Sequence, residues 1–187
     1  MKKVAVFLAD GCEETEALIV VNYLRRAGIK VDMIYTQGKE IINGDHNIIF
    51  KAEKSLDDIA ESDYDCFVVP GGMGGANALA QNKKVLDMIK KAHALGKYVC
   101  AICAGPKVLI NAGILNGRTI TGYPGLFEDG KDYSYKVQKV VRDKNVITAM
   151  GPSLAVYFAL EIIEALGGRA LRDEISAQIL LEYMERN

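Results

Sequence analysis

Apolar positions along the chain fall into two rhythms. Short runs at 3–9, 31–36, 66–69, 98–102 and 146–149 are apolar with little polar alternation and read as strands. Segments 13–27, 85–95 and 106–112 read as helices, with Gly28 and Gly96 placed to stop the first two. Residues 40–50 read as a hairpin around Asn43-Gly44, a dipeptide whose tolerance of positive φ suits a two-residue turn. A short strand is expected at 119–121, and 137–141 with 146–149 suggests a second hairpin across Asp143-Lys144-Asn145. Two helices close the pattern, 154–166 and 172–186, with Gly167-Gly168 between them.

Strands that stay apolar on both sides are strands covered on both sides, so their alternation with crossover helices predicts a mainly parallel sheet between two helical layers. The expected fold class is α/β: a flavodoxin-like three-layer α/β/α sandwich with a mainly parallel sheet and a small antiparallel hairpin. No repeat, low-complexity tract or linker divides the pattern, and a single domain over 1–187 is expected. Ligand sites in such sheets lie outside the carboxyl ends of the strands, which directs attention to the loops at 10–12, 70–75, 103–105 and 122–125.

Composition narrows the function. The 187 residues carry 23 basic and 24 acidic side chains, a formal charge of -1, and 50% hydrophobic residues. That content argues against disorder, and the balanced charge leaves no footprint for nucleic acid. Lys2-Lys3 precedes an apolar run at 4–9, but a secretory segment needs about 7–15 apolar residues and a membrane helix about 20. No membrane association is expected, and a cytoplasmic location is. The 4 cysteines do not form a disulfide framework in a chain of this length. Cys12, Cys66 and the distant His46 and His93 make no zinc spacing, so no metal is expected. The glycines of 70–75 match neither a phosphate loop nor a dinucleotide fingerprint, and no cofactor is expected.

The strongest chemical signal is Ala101-Ile102-Cys103-Ala104-Gly105-Pro106. An apolar strand runs into a cysteine with small neighbours, followed by a helix-starting proline, the pattern of a nucleophile elbow. Amide N–H groups and the helix dipole at such a turn favour thiolate, which predicts a depressed thiol pKa at Cys103. The competing reading is one more small apolar core residue. Cys100 and Cys103 also match a C-x-x-C redox pattern, but Cys100 falls inside a strand rather than at a helix start.

Read together, Asp10-Gly11-Cys12-Glu13-Glu14-Thr15-Glu16, Arg25-Arg26-Ala27-Gly28-Ile29-Lys30-Val31, Pro70-Gly71-Gly72, the Cys103 segment, Gly151-Pro152 and Ile162-Ile163-Glu164-Ala165-Leu166 make the chain resemble the ThiJ/PfpI superfamily, in its DJ-one-like branch, over nearly its whole length. The resemblance implies a reactive Cys103 with Glu16 as its partner carboxyl. It also implies backbone amides of Gly71, Gly72 and Ala104 facing oxygen carried by the cysteine or a bound carbonyl. Tyr123, Cys12, Gly151 and Pro152 are expected around the pocket, with Cys12 as a candidate resolving thiol. Glu16 falls in a first helical turn, where acids commonly only stabilise the helix. Held beside a thiolate, its carboxyl is expected to have a raised pKa.

One departure matters. Many superfamily members carry a histidine after the fifth strand, whereas this chain has Gly122-Tyr123-Pro124, and a phenol near its ordinary pKa of about 10 cannot replace imidazole as a base. His46 and His93 are expected at the surface. Protease chemistry is disfavoured. Two function classes remain: a cofactor-independent glyoxalase or deglycase acting on methylglyoxal or its adducts through Cys103 with Glu16 as proton shuttle, and an oxidative-stress sensor or redox-regulated chaperone using oxidation of Cys103. The run Ala17-Leu18-Ile19-Val20-Val21 covers a whole helix circumference, since five residues at about 100° each exceed a full turn. Its second apolar face calls for a homodimer partner, with cover by the 172–186 helix as the alternative.

Overall fold

A computed structural model describes residues 1–130 and 132–185. The chain begins with β1 (Lys3–Leu8), α1 (Glu14–Arg26) and β2 (Lys30–Tyr35). Short strands β3 (Ile41–Asn43), β4 (Ile49–Lys51) and β5 (Lys54–Ser55) follow, then β6 (Cys66–Val69), α2 (Met73–Gln81), α3 (Lys83–Ala94), β7 (Tyr98–Ile102) and α4 (Pro106–Asn111). The remainder is β8 (Arg118–Ile120), β9 (Tyr133–Tyr135), β10 (Val140–Asp143), β11 (Val146–Ala149), α5 (Ala155–Gly167), α6 (Arg169–Gln178) and α7 (Leu181–Glu185).

Seven strands form the main sheet in the order β10-β11-β7-β6-β1-β2-β5. All its pairings are parallel except the β10–β11 hairpin. Residue alternation along the strands sorts the core into two layers. Val4, Val6, Leu8, Val68, Cys100 and Ile102 face α1 and α5, while Ala5, Phe7, Phe67, Val69, Val99 and Ala101 face α2, α3 and α4. The flavodoxin-like sandwich expected from the sequence is the fold observed. Its central strands β1, β6 and β7 end together, and the loops that follow them carry the candidate chemistry.

Several local expectations are corrected. Asn43 pairs with Ile49, so the β3–β4 connection runs from Gly44 to Ile48 and is not a two-residue turn at Asn43-Gly44. The Glu14 carboxylate fills this wider loop, accepting from the N–H groups of His46 and Ile48. The glycine segment 70–75 is not all loop: α2 starts at Met73, and Ala76 N–H donates to Gly72 O at 2.9 Å. Asn82 caps α3 by accepting from Lys84 and Val85 N–H, which starts that helix before residue 85. The 172–186 helix is two helices, α6 and α7, parted where Leu180 takes φ 58°; Arg186 lies outside the described residues. Against the main sheet and α5, α1 buries Ala17, Val20, Val21 and Leu24, so α5 provides the cover that the 172–186 reading assigned elsewhere. Leu18 and Ile19 stay half-buried. Among the described residues no helix is long and apolar enough to cross a membrane.

Candidate active site

Cys103 occupies the turn between β7 and α4 with φ 63°, a left-handed conformation that costs a residue with a side chain roughly 1–2 kcal/mol. The turn is held from both sides. Cys103 N–H donates to Ala149 O and its carbonyl accepts from Tyr123 N–H, both at 2.9 Å. Gly105 closes it, donating to Ile102 O at 2.8 Å, and a Cβ there would lie 2.5 Å from Val69 O. This is the elbow expected from the 101–106 segment. Only 8% of Cys103 is exposed.

Glu16 reaches the same point from the first turn of α1. It is fully buried, and its Oε2 accepts from Gly71 N–H at 2.7 Å, while Oε1 has no hydrogen-bond partner among the described residues. Gly71 separates the two groups so narrowly that a Cβ on it would lie 2.6 Å from both Cys103 Cβ and Glu16 Oε2. Two loops are tied together here. Glu13 N–H donates to Gly71 O at 3.0 Å, and Gly75 N–H donates to Gly11 O at 2.9 Å. At Gly72, φ is 77°, and a side chain would run into Gly11 O and Glu13 N. A glycine is therefore required twice for the loops to meet this closely.

Burial pushes the Glu16 carboxyl up to about 7, against the stabilising Gly71 amide and Cys103 thiol, with the nearby Glu13 charge pushing the same way as burial. The raised value expected for Glu16 is thus present. The expected depression at Cys103 is not: burial, the Glu16 charge and its hydrogen bond push the thiol up to about 12, outweighing the amides of Ala104 and Gly72. Both directions follow from two acids buried side by side, since a charge on either is costly there and a second negative charge more so.

The amide assignment also changes. Gly72 and Ala104 lie beside the sulfur, but Gly71 donates to Glu16. Cys12 is fully buried, and burial first, then the Glu14 charge, pushes its thiol up to about 12. It belongs to the core against α1, not to the pocket wall, and the resolving-thiol expectation loses its exposed sulfur. Cys100 pairs with Cys66, Sγ to Sγ at 3.5 Å, both fully buried. Tyr123, Pro124, Met150, Gly151, Pro152 and Leu154 do line one cavity of about 420 Å³, formed by the loops that follow β8 and β11 and clamp Cys103. Its wall holds no acidic or basic side chain. The half-exposed Tyr123 stands over Gly151, whose added Cβ would touch its ring at 3.5 Å.

Two acids read from the sequence as generic helix-start charges have defined partners. Glu13 Oε2 accepts from Glu16 N–H at 2.7 Å and Thr15 Oγ1 at 2.6 Å. Glu14 is 1% exposed, and although burial opposes it, backbone amides and His46 hold its carboxyl below the usual range. Glu13, Glu14 and His46 are the residues whose ligand atoms lie within 4.8 Å of one another among the described residues. Both Glu14 oxygens there already engage the hairpin. The signal available in the sequence was three acids at one helix start; the partners of Glu14 and Glu16 sit some thirty or more residues away, beyond local reading, while those of Glu13 are its own neighbours Thr15 and Glu16.

Comparison with known proteins gives a consistent result. The model of the DJ-1/PfpI family matches residues 2–165. "Protein dj-1beta" of Drosophila melanogaster is 38% identical over 184 residues, covering 97% of this chain and 98% of its own. "Parkinson disease protein 7 homolog" of Danio rerio is 36% identical over 185 residues, covering 97% and 98%. The crystal structure of Drosophila melanogaster DJ-1beta superposes with a TM-score of 0.90 at 37% identity, covering 96% of this chain and 97% of that one.

Proposed function

The chain belongs to the DJ-1/PfpI family, and from that premise we propose that it is a cofactor-independent glyoxalase or deglycase, a homodimer acting on methylglyoxal or its adducts through Cys103 with Glu16 as proton shuttle. The observation that carries this reading is a buried thiol and a buried carboxyl brought so close beside Gly71 that one Cβ there would touch both, with burial pushing each toward its protonated form. As the sulfur adds to the aldehyde carbon, Cys103 passes its proton to Glu16, which returns it to the oxygen of the resulting hemithioacetal. The Gly72 and Ala104 amides, which lie beside the sulfur, would donate to that oxygen as charge develops on it. Glu16 next removes the C1 hydrogen as a proton and delivers it to C2, while the C1 hydroxyl proton moves to the C2 oxygen through the enediol, leaving lactate as a thioester on Cys103. Water cleaves the thioester and restores the thiol. Overall, methylglyoxal and water give lactate, with no outside oxidant or reductant.

A second reading is favoured by Glu16 Oε1, buried with no hydrogen-bond partner among the described residues. Two equivalents of hydrogen peroxide carry a thiolate to sulfinate and release two waters, and a protonated Glu16 can donate from Oε1 to a sulfinate oxygen. The same residue would then serve a redox sensor.

Lactate formation from methylglyoxal by the wild type and by Cys103→Ser tests the enzyme reading. The wild type is expected to produce lactate and the variant none above the uncatalysed rate. Equal rates would remove the enzyme reading, and loss of peroxide-dependent mass gain in the same variant would leave the sensor standing.

A further inference from the structure

Three hydrogen bonds at the start of α1 form a closed ring. Glu13 N–H donates to Gly71 O at 3.0 Å, Gly71 N–H donates to Glu16 Oε2 at 2.7 Å, and Glu16 N–H donates back to Glu13 Oε2 at 2.7 Å. Thr15 Oγ1 adds a fourth bond to the same Glu13 oxygen, at 2.6 Å. Glu13 is 7% exposed, and a carboxylate withdrawn this far from water acts on its neighbours with little screening. We propose that Glu13 is a positioning residue for the Glu16–Cys103 pair: its carboxylate closes the ring that holds Glu16 beside Gly71 and Cys103, and its charge opposes a second negative charge on the pair.

The arrangement separates two jobs that an N-cap usually combines. A cap needs only an acceptor for the N–H three residues on, which Ser, Thr or Asn supplies. A full negative charge three residues before a second buried acid is unfavourable unless it does something more, because like charges raise each other's proton affinity. Around Glu13 the charged and titratable groups are Glu14 and Glu16 on α1, Cys12 just before it, Cys103 at the elbow, and His46 from the hairpin, whose Nδ1 lies 4.0 Å from Glu13 Oε1. His46 is 67% exposed and so faces Glu13 from the solvent side. The Glu13 charge itself acts on Glu16 in the direction that favours the proton.

The inference rests on the reading of Cys103 and Glu16 as a reactive pair, but its test needs no turnover. The pH dependence of Cys103 alkylation by iodoacetamide is followed by peptide mass spectrometry, alongside thermal unfolding, in the wild type and in Glu13→Gln, Glu13→Asp and Glu13→Ala. Gln keeps an acceptor for Glu16 N–H but no charge, so the alkylation midpoint is expected to move to lower pH by roughly half a unit to one unit, read as a three- to tenfold faster reaction on the acid limb. Asp keeps the charge with a shorter reach: its midpoint should stay near that of the wild type while its plateau rate changes. Ala should change both. A Gln midpoint coincident with the wild type overturns the charge role, whatever its melting temperature. If Gln fails to fold, an Asp midpoint displaced by half a unit or more overturns it instead, and an unchanged Ala plateau overturns the positioning role. Absence of lactate formation with the expected midpoint shifts would sink the enzyme reading and leave Glu13 as assigned.

Discussion

At Cys103 and Glu16 the energetics turn on where one proton resides. Each site is buried, each disfavours charge, and each charge raises the proton affinity of the other. A general acid/base replaced by its amide typically loses on the order of 10²–10⁴-fold in rate, and that is the loss expected for Glu16→Gln in lactate formation. The same substitution should change stability with a definite sign. Glu16 is raised from 4.5 to about 7 in the folded chain, so its protonated form contributes stability fully present below about pH 4.5 and lost as pH rises through about 7. Gln does not ionise and escapes that loss. Glu16→Gln is therefore expected to unfold at a higher temperature than the wild type at pH 8, by up to about 3 kcal/mol in stability, with little of this difference at pH 4. Chemical denaturation at the two pH values checks it, and a difference independent of pH would show that the carboxyl is not held protonated by its site.

Among the elements, the loop after β6 carries the tightest constraint. Gly71 faces both the Glu16 carboxyl and Cys103, and a methyl group on it would displace backbone or those two side chains. Gly71→Ala is expected to abolish lactate formation and to slow Cys103 alkylation while Glu16→Gln-like stability remains measurable; an active Gly71→Ala would mean that Glu16 and Cys103 do not meet across this residue. The strands and the elbow were legible because their signals are local: β7 is an apolar run, and Pro106 marks the helix that follows Cys103. The resemblance turned the Gly71 amide toward oxygen on the cysteine or a bound carbonyl; its acceptor here, Glu16, lies 55 residues away, and nothing local says which of two groups an N–H will face. The wide β3–β4 loop was missed for the same reason, since Asn43-Gly44 supports a tight turn until the Glu14 carboxylate claims the amides of His46 and Ile48. A depressed Cys103 pKa was expected from the turn alone; burial of the thiol, and then the Glu16 charge beside it, reverses the sign.

Across the whole molecule, α1 joins the site to an apolar surface. Leu18 and Ile19 remain half-buried beside α5, and the hairpin pinned by Glu14 exposes Ile41, Ile48 and Ile49 at 42%, 51% and 65%. Exposed apolar groups gathered in this way mark an interface more often than a free surface. Homodimer formation through this region would place the second subunit beside the helix that carries Glu16. Sedimentation equilibrium at micromolar concentration is expected to give twice the chain mass of 20.4 kDa, and a single species at 20.4 kDa would contradict the dimer. The central claim is that one thiol of four is poised, by geometry rather than by exposure alone, to react by passing its proton to Glu16. Peptide mapping of the intact folded chain after brief iodoacetamide treatment at pH 8 tests it most directly. Cys103 should be alkylated well ahead of Cys12, Cys66 and Cys100, which react only once the chain unfolds; labelling of Cys12 as fast as Cys103 would contradict the account.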